Sequence, residues 1–249
     1  MQGQAVRSDR PPPWRAAFLP AAIASVLVLL AAPLGTRAGL WPYGIGLLAV
    51  AASGAAALLV AVASAAASVV WGRRRHAREA RGALLAAVVS LIPALVVGAQ
   101  IGRGARLPAI HDVTTDPEAP PRFESPEIKG AHRENALEYG GAEIAELQRA
   151  AYPDVVPIAL DADSGRAFEF ARDAARTLGW NVVLEDPVDG RLEAVATTFW
   201  FGFKDDVAIR VRPTPSGSVV DVRSVSRVGL SDVGANAARI RRFTRTLLD

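Results

Sequence analysis

The chain contains no cysteine, which removes disulfides, thiol nucleophiles and cysteine-ligated zinc or iron–sulfur centres from consideration. Histidine is nearly as scarce, at three residues, and only His111 lies near other polar residues that could join it in acid–base work. Aromatic residues make up 6% of the chain, so the sequence TTFWFGF at 197–203 stands out. Acidic residues are almost missing from positions 1–102, which carry only Asp9 and Glu79 against nine arginines. Ionisable side chains are absent from the middle of the three long apolar runs there, which argues against an ion or proton path through them.

What is present divides the chain in two. With 51% hydrophobic residues in 249 positions, part of the chain is expected to lie in lipid. Residues 1–102 carry a net charge of +7 and residues 103–249 carry −4, within an overall +3. The positive charge flanks apolar segments and the remaining half is acidic, so the clustered basic face that nucleic acid requires is not expected.

Residues 1–102 read as a transmembrane anchor with spans at about 16–34, 43–71 and 82–102, each long enough for a hydrocarbon core of ~30 Å. Pro20 falls in the first turns of span one and Pro33 near its end, where it can help stop the helix. Trp41, Tyr43 and Trp71 sit near the ends of span two, as interfacial aromatics do. Ser53, Ala57, Ala61 and Ala65 form a four-residue repeat that offers either a close helix contact or a chance stripe in alanine-rich sequence. RRRHAREAR between spans two and three holds five arginines, and only Arg37 lies between spans one and two. The positive-inside rule then places the N-terminus in the cytoplasm and the C-terminal half outside it, in a protein integral to the inner (plasma) membrane.

Residues 103–130, with five prolines, read as an extended linker. Within it LPAIHDVTTD alternates partly like an edge strand, so His111, Asp112 and Asp116 could dock on the following domain. Residues 131–249 read as an α+β soluble domain. A helix is expected over His132–Ala151, weakened by Gly140-Gly141, and another after an Asp163 or Ser164 cap, stopping at Gly179. Strands follow at Trp180–Glu185 and Arg191–Phe201, the latter apolar on both faces. A hairpin pairs Val211 with Val220, Ile209 with Val222 and Arg210 with Asp221, with a bulge expected near Arg223–Val225. The last helix starts at about Asp232, with Ile240, Phe243 and Leu247 inward and Arg239, Arg241, Arg242 and Arg245 outward. The fold expected is an antiparallel four-stranded sheet with helices packed on one face.

TTFWFGFKDDVAIRVRP, VDVRSVSRVGLSDVGANAARIRRF, LPAIHDVTTDP and YPDVVPIAL occur in an order that resembles the bacterial and plastid family called domain of unknown function 1499. The resemblance covers about Ile110 to the C-terminus. It implies a recurring soluble unit often preceded by membrane spans, and it brings no substrate, reaction or catalytic residue.

Asp205-Asp206 suits a turn before the hairpin, with metal binding or acid–base work as the alternative. Ser231-Asp232 suits a helix N-cap, while Asn236 lies too far along to share it. Arg223, Ser224, Ser226 and Arg227 could bind an anion near the last helix, or form a buried arginine–aspartate network with Asp232 or Asp116. A hydrolase triad of His111, Ser226 and Asp232 lacks any supporting nucleophile motif. No catalytic residue, metal ligand or cofactor is assigned, and the candidate ligand-binding residues are His111, Asp116, Arg223, Ser226, Arg227, Asp232 and Asn236. The function expected is a membrane-anchored extracytoplasmic module that binds an envelope protein, lipid or glycan. The alternative is an envelope hydrolase using aspartate and histidine, with or without a metal.

Overall fold

The computed structural model describes residues 13–249; the basic start with Arg7 and Arg10 lies outside the described residues. The described residues form two compact units, one ending at Ile101 and the other running from Gly102 to Asp249.

The first unit is built on α1 (Phe18–Arg37), α2 (Tyr43–Arg73) and α3 (Ala77–Gly104). All three are long and apolar enough to cross a membrane. Their packing inverts that of a water-soluble bundle. Small residues such as Ala22, Ser25, Ala57, Ser64, Ala86 and Ser90 are buried, whereas Leu27, Leu48, Leu59 and Leu95 point outward. Gly54 shows why small size matters, because a Cβ there would lie 2.6 Å from Val97 Cβ. The expected stripe drifts. Ser53, Ala57 and Ala61 are buried, but the next buried position is Ser64 and not Ala65, because four-residue steps overshoot a helix of 3.6 residues per turn. Pro33 lies inside α1, which continues to Arg37. Most of the expected five-arginine loop is helical, since Arg73 ends α2 while Arg78 and Arg81 belong to α3.

The second unit is an α+β domain around an antiparallel sheet of six strands, two more than expected. These are β1 (Asp112–Thr114), β2 (Ile158–Leu160), β3 (Asn181–Asp186), β4 (Arg191–Thr197), β5 (Lys204–Thr214) and β6 (Gly217–Ser226). The order is β1-β6-β5-β4-β3, and β2 also pairs with β6. Both additional strands are three residues long, too short to show a period, and lie in line along the outer edge of β6. They cover backbone groups that a ten-residue edge strand would otherwise leave open. The edge of β1 is covered in turn by α5 (Gly141–Ala151), whose Gln148 accepts from Thr114 N at 2.9 Å and donates to Thr114 O at 2.7 Å, imitating a further strand.

The β5–β6 register is the expected one, including Ile209 opposite Val222 and Arg210 opposite Asp221. Pairing runs unbroken through Asp205–Ser226, and the irregularity lies in β3 between Val182 and Leu184, not at Arg223–Val225. The alternation fades near Arg223 for another reason: polar side chains there are buried on both faces of the sheet. One face carries Leu192, Val207, Ile209, Val220 and Val222 against α6 (Ser164–Thr177) and α7 (Ala235–Leu248). Phe243 is fully buried there and stacks on Trp180 at 5.5 Å, a burial that stabilises by roughly 1.5–3 kcal/mol. Asp163 caps α6 by accepting from Arg166 N at 3.0 Å. The opposite face carries Val195, Ala208 and Val225 beneath Phe123 and Ile128 of the segment 115–139, which includes the single turn α4 (Pro126–Lys129). That strap accounts for the apolar residues found on both faces of β4.

Candidate functional site

Alternation along β5 and β6 sorts the candidate polar residues onto two faces. Toward α7 point Asp205, Ser224 and Ser226; toward the strap point Asp206, Asp221 and Arg223.

On the helix face the hub is Asn236, fully buried in the first turn of α7. Its Oδ1 accepts from Ser224 Oγ at 2.7 Å, and its Nδ2 donates to Ser226 Oγ at 3.0 Å and to the His111 carbonyl at 2.8 Å. Arg239, one turn further on, donates to Ser224 Oγ at 2.9 Å, to Asn236 Oδ1 and to Asp205. Asp232 receives Gly234 N at 2.8 Å and Asn236 N at 2.7 Å, so it caps α7 from outside the helix. Burial pushes the Asp232 carboxyl up, opposed by these two N–H donors.

On the strap face Asp206, fully buried, accepts from Arg227 Nε and Nη2 at 3.0 and 2.7 Å and from Arg133 Nη1 at 3.0 Å. Arg223 binds both oxygens of Asp112 at 3.0 and 2.6 Å and donates to the carbonyls of Pro121 and Leu137. Its guanidinium stands 5.3 Å from the Phe123 ring centre and 5.6 Å from that of Tyr139. Burial raises Asp112 despite Arg223, and burial followed by the Asp112 charge raises the Tyr139 phenol to about 12. Asp221 holds Arg210 and Arg212, and Arg210 also reaches Asp116 at 3.0 Å. Asn135 Nδ2 donates to the carbonyls of Ser226 and Gly229, both at 2.9 Å.

Glu193 completes the strap's attachments, since its buried carboxylate accepts from the backbone N–H of Glu124 and Ser125 at 2.5 and 3.1 Å. Burial raises its pKa above 4.5, opposed by those two N–H groups. Between about pH 4.5 and the folded value, the folded state therefore holds a proton that the unfolded chain has released, and stability contributed by Glu193 falls as pH rises through that window. Glu193→Gln keeps the acceptor oxygen without the charge. Thermal unfolding at neutral pH should show it at least as stable as the parent, with the difference vanishing as pH approaches 4.5.

The structure thus brings His111, Ser226, Asp232 and Asn236 together on one face, through the carbonyl of His111 and not its ring. Arg223 and Arg227 lie on the other face, and Asp116 stands with Arg210 and Arg212. Arg227 pairs with Asp206 and Asp116 with Arg210, where sequence reasoning offered Asp232 or Asp116 for Arg227. Asp205 and Asp206 are buried strand residues with arginine partners, not a turn. Arg239, expected outward, is 4% exposed. Its signal was present, because it stands three residues after Asn236 on the helix face that meets Ser224. Sequence reasoning does not find Arg133, Asn135, Gln148 or Glu193; the strap's position reveals Arg133, Asn135 and Glu193, and the packing of α5 along β1 reveals Gln148. Among the described residues no group of three or more His, Asp or Glu could hold a metal ion.

A family model described as Protein of unknown function (DUF1499) matches residues 112–247, over half of the chain and the whole six-stranded sheet. The chain belongs to the DUF1499 family. None of the curated proteins compared with it matches. The DUF1499 domain has an open groove of about 440 Å³ between residues 154–159 and α7, and none of the seven candidate residues lines it. Its exposed large apolar residues include Phe199, Trp200 and Leu230, at 71%, 50% and 84% exposure.

Proposed function

We propose that this DUF1499 protein is a membrane-anchored, non-catalytic binding module, with its soluble domain outside the cytoplasm and an envelope protein, lipid or glycan as partner. The observation that carries this reading is the division of labour in the domain. The carboxylates that a hydrolase would use are engaged by arginines or backbone N–H groups that hold helix and strap to the sheet. Phe199, Trp200 and Leu230, which make no comparable contribution to the core, are exposed. The arginines around His76 support a cytoplasmic α2–α3 connection, and three spans then carry the domain across. Of the run Arg223–Asn236, the loop 227–233 is the part left to meet a partner.

Two measurements on the full chain in its native membrane test this. Reporters fused after Arg81 and after Asp249 should give cytoplasmic and extracytoplasmic signals respectively, and a cytoplasmic signal after Asp249 overturns the orientation. A photo-crosslinking residue in place of Leu230 should give an adduct to a protein, a glycan or a phospholipid that also co-purifies with the unmodified chain. The same residue in place of Val188 should give none. Equal labelling at the two positions, or no adduct at Leu230, sinks the binding reading.

A further inference from the structure

Resting on that reading, we propose the partner class for this end of the domain: the loop 198–203 and Leu230 dock on an anionic phospholipid bilayer surface, that of the membrane in which the chain is anchored. Strand register defines the end. Thr197 pairs with Lys204, Asp205 with Ser226 and Asp112 with Val225, so the β4–β5 loop, the exit from β6 and the start of β1 all lie at one end of the sheet. Backbone bonds tie them there, from Ser226 N to His111 O at 2.9 Å and from Asp232 N to Ile110 O at 3.0 Å. The turns at 187–190 and 215–216 lie at the opposite end.

The chain reaches β1 from α3 through seven residues, 105–111. Even fully extended these span roughly 25 Å, and the turn bonds from Arg106 N to Arg103 O and from Leu107 N to Gly104 O shorten them. The end that presents Phe199, Trp200 and Leu230 is therefore the end at which the membrane tether joins the sheet.

The loop is built to present its rings. Thr198 N donates to Phe203 O at 2.8 Å, Phe203 N to Thr198 Oγ1 at 2.9 Å, and Gly202 takes φ of +70°, which closes the loop tightly. Phe201 stacks on Phe203 with centroids 5.0 Å apart, and Phe199 meets Trp200 edge to face at 5.2 Å. Such a knob carries apolar area at little ordering cost, and Trp and Phe suit the headgroup level of a bilayer. Arg103 in the last turn of α3, Arg106 on the tether and Lys204 beside the loop are all exposed, and among the described residues none is in an ion pair. Their charge complements anionic headgroups.

Because the chain has no cysteine, single substitutions give unique labelling sites. Phe199→Cys, Leu230→Cys and Val188→Cys, spin-labelled in the full chain in proteoliposomes of phosphatidylethanolamine and phosphatidylglycerol, compare collisions with oxygen and with a water-soluble nickel chelate. Labels at 199 and 230 should favour oxygen and the label at 188 should favour nickel. Labels at 199 and 230 as open to nickel as that at 188 overturn the proposal, and so do labels shielded from both reagents, which would mark a second copy of the chain. If the labels are aqueous while the Leu230 photo-adduct persists, lipid falls as the partner and the binding reading stands.

Discussion

Asp206→Ala should lower the stability of the domain by about 3–5 kcal/mol, the usual cost of removing one member of a buried ion pair. For a unit of this size that is a fall in Tm of roughly 10–20 °C. Asp206 is fully buried and is the shared acceptor for Arg227 and Arg133, whose side chains are only 11% and 13% exposed. Without the carboxylate two guanidinium groups remain in a poorly hydrated place with no anion. Arg133 comes from the strap and Arg227 from the exit of β6, so backbone amides at 130–137 should exchange with solvent faster as the strap loosens. Asp154→Ala is the matched control, because its pair with Arg241 is exposed and its loss should cost no more than about 1 kcal/mol. A hydrolase using Asp206 would show the reverse pattern: stability retained and turnover lost.

The second large effect belongs to Arg223. Arg223→Met and Asp112→Leu should each cost about 3–5 kcal/mol, while the double variant should be markedly more stable than either. Each single change leaves its partner charged and enclosed, since the two side chains are 3% and 6% exposed. The double change removes both charges and leaves apolar chains of similar length between Phe123 and Tyr139. Recovery in the double variant should be incomplete, because Arg223 also holds the carbonyls of Pro121 and Leu137. Chemical unfolding of the four proteins gives the coupling directly. Single variants that cost under about 1 kcal/mol would show that the strap is held by something other than this pair.

Both effects explain why parts of the chain were legible from sequence and others were not. The β5–β6 hairpin could be registered residue by residue, because its partners are close in sequence and only one alignment matches apolar with apolar and Arg210 with Asp221. The apolar helices declare themselves by length alone. The partners of Asp112, Asp206 and Glu193 lie tens to over a hundred residues away, and no local pattern links them. Residues 103–130 read as a linker because prolines and short polar residues deny them a period, yet Phe123 and Ile128 within them cover a sheet face. Gly140-Gly141 reads as a weakness in a longer helix, whereas Gly141, at φ +73°, begins α5. Asn236 drew attention as a polar residue on an apolar helix face, and that oddity did mark a buried hub. Buried hubs and binding residues leave the same trace in sequence, and burial tells them apart.

The polar run is structural, its carboxylates held by arginines and backbone N–H groups, and the exposed aromatic end is where we propose recognition. The most direct measurement is the Leu230 photo-adduct in membranes from a chain carrying Phe199→Ser and Trp200→Ser. The adduct should be lost while expression and Tm stay those of the parent. An undiminished adduct in that variant would contradict recognition at the aromatic end.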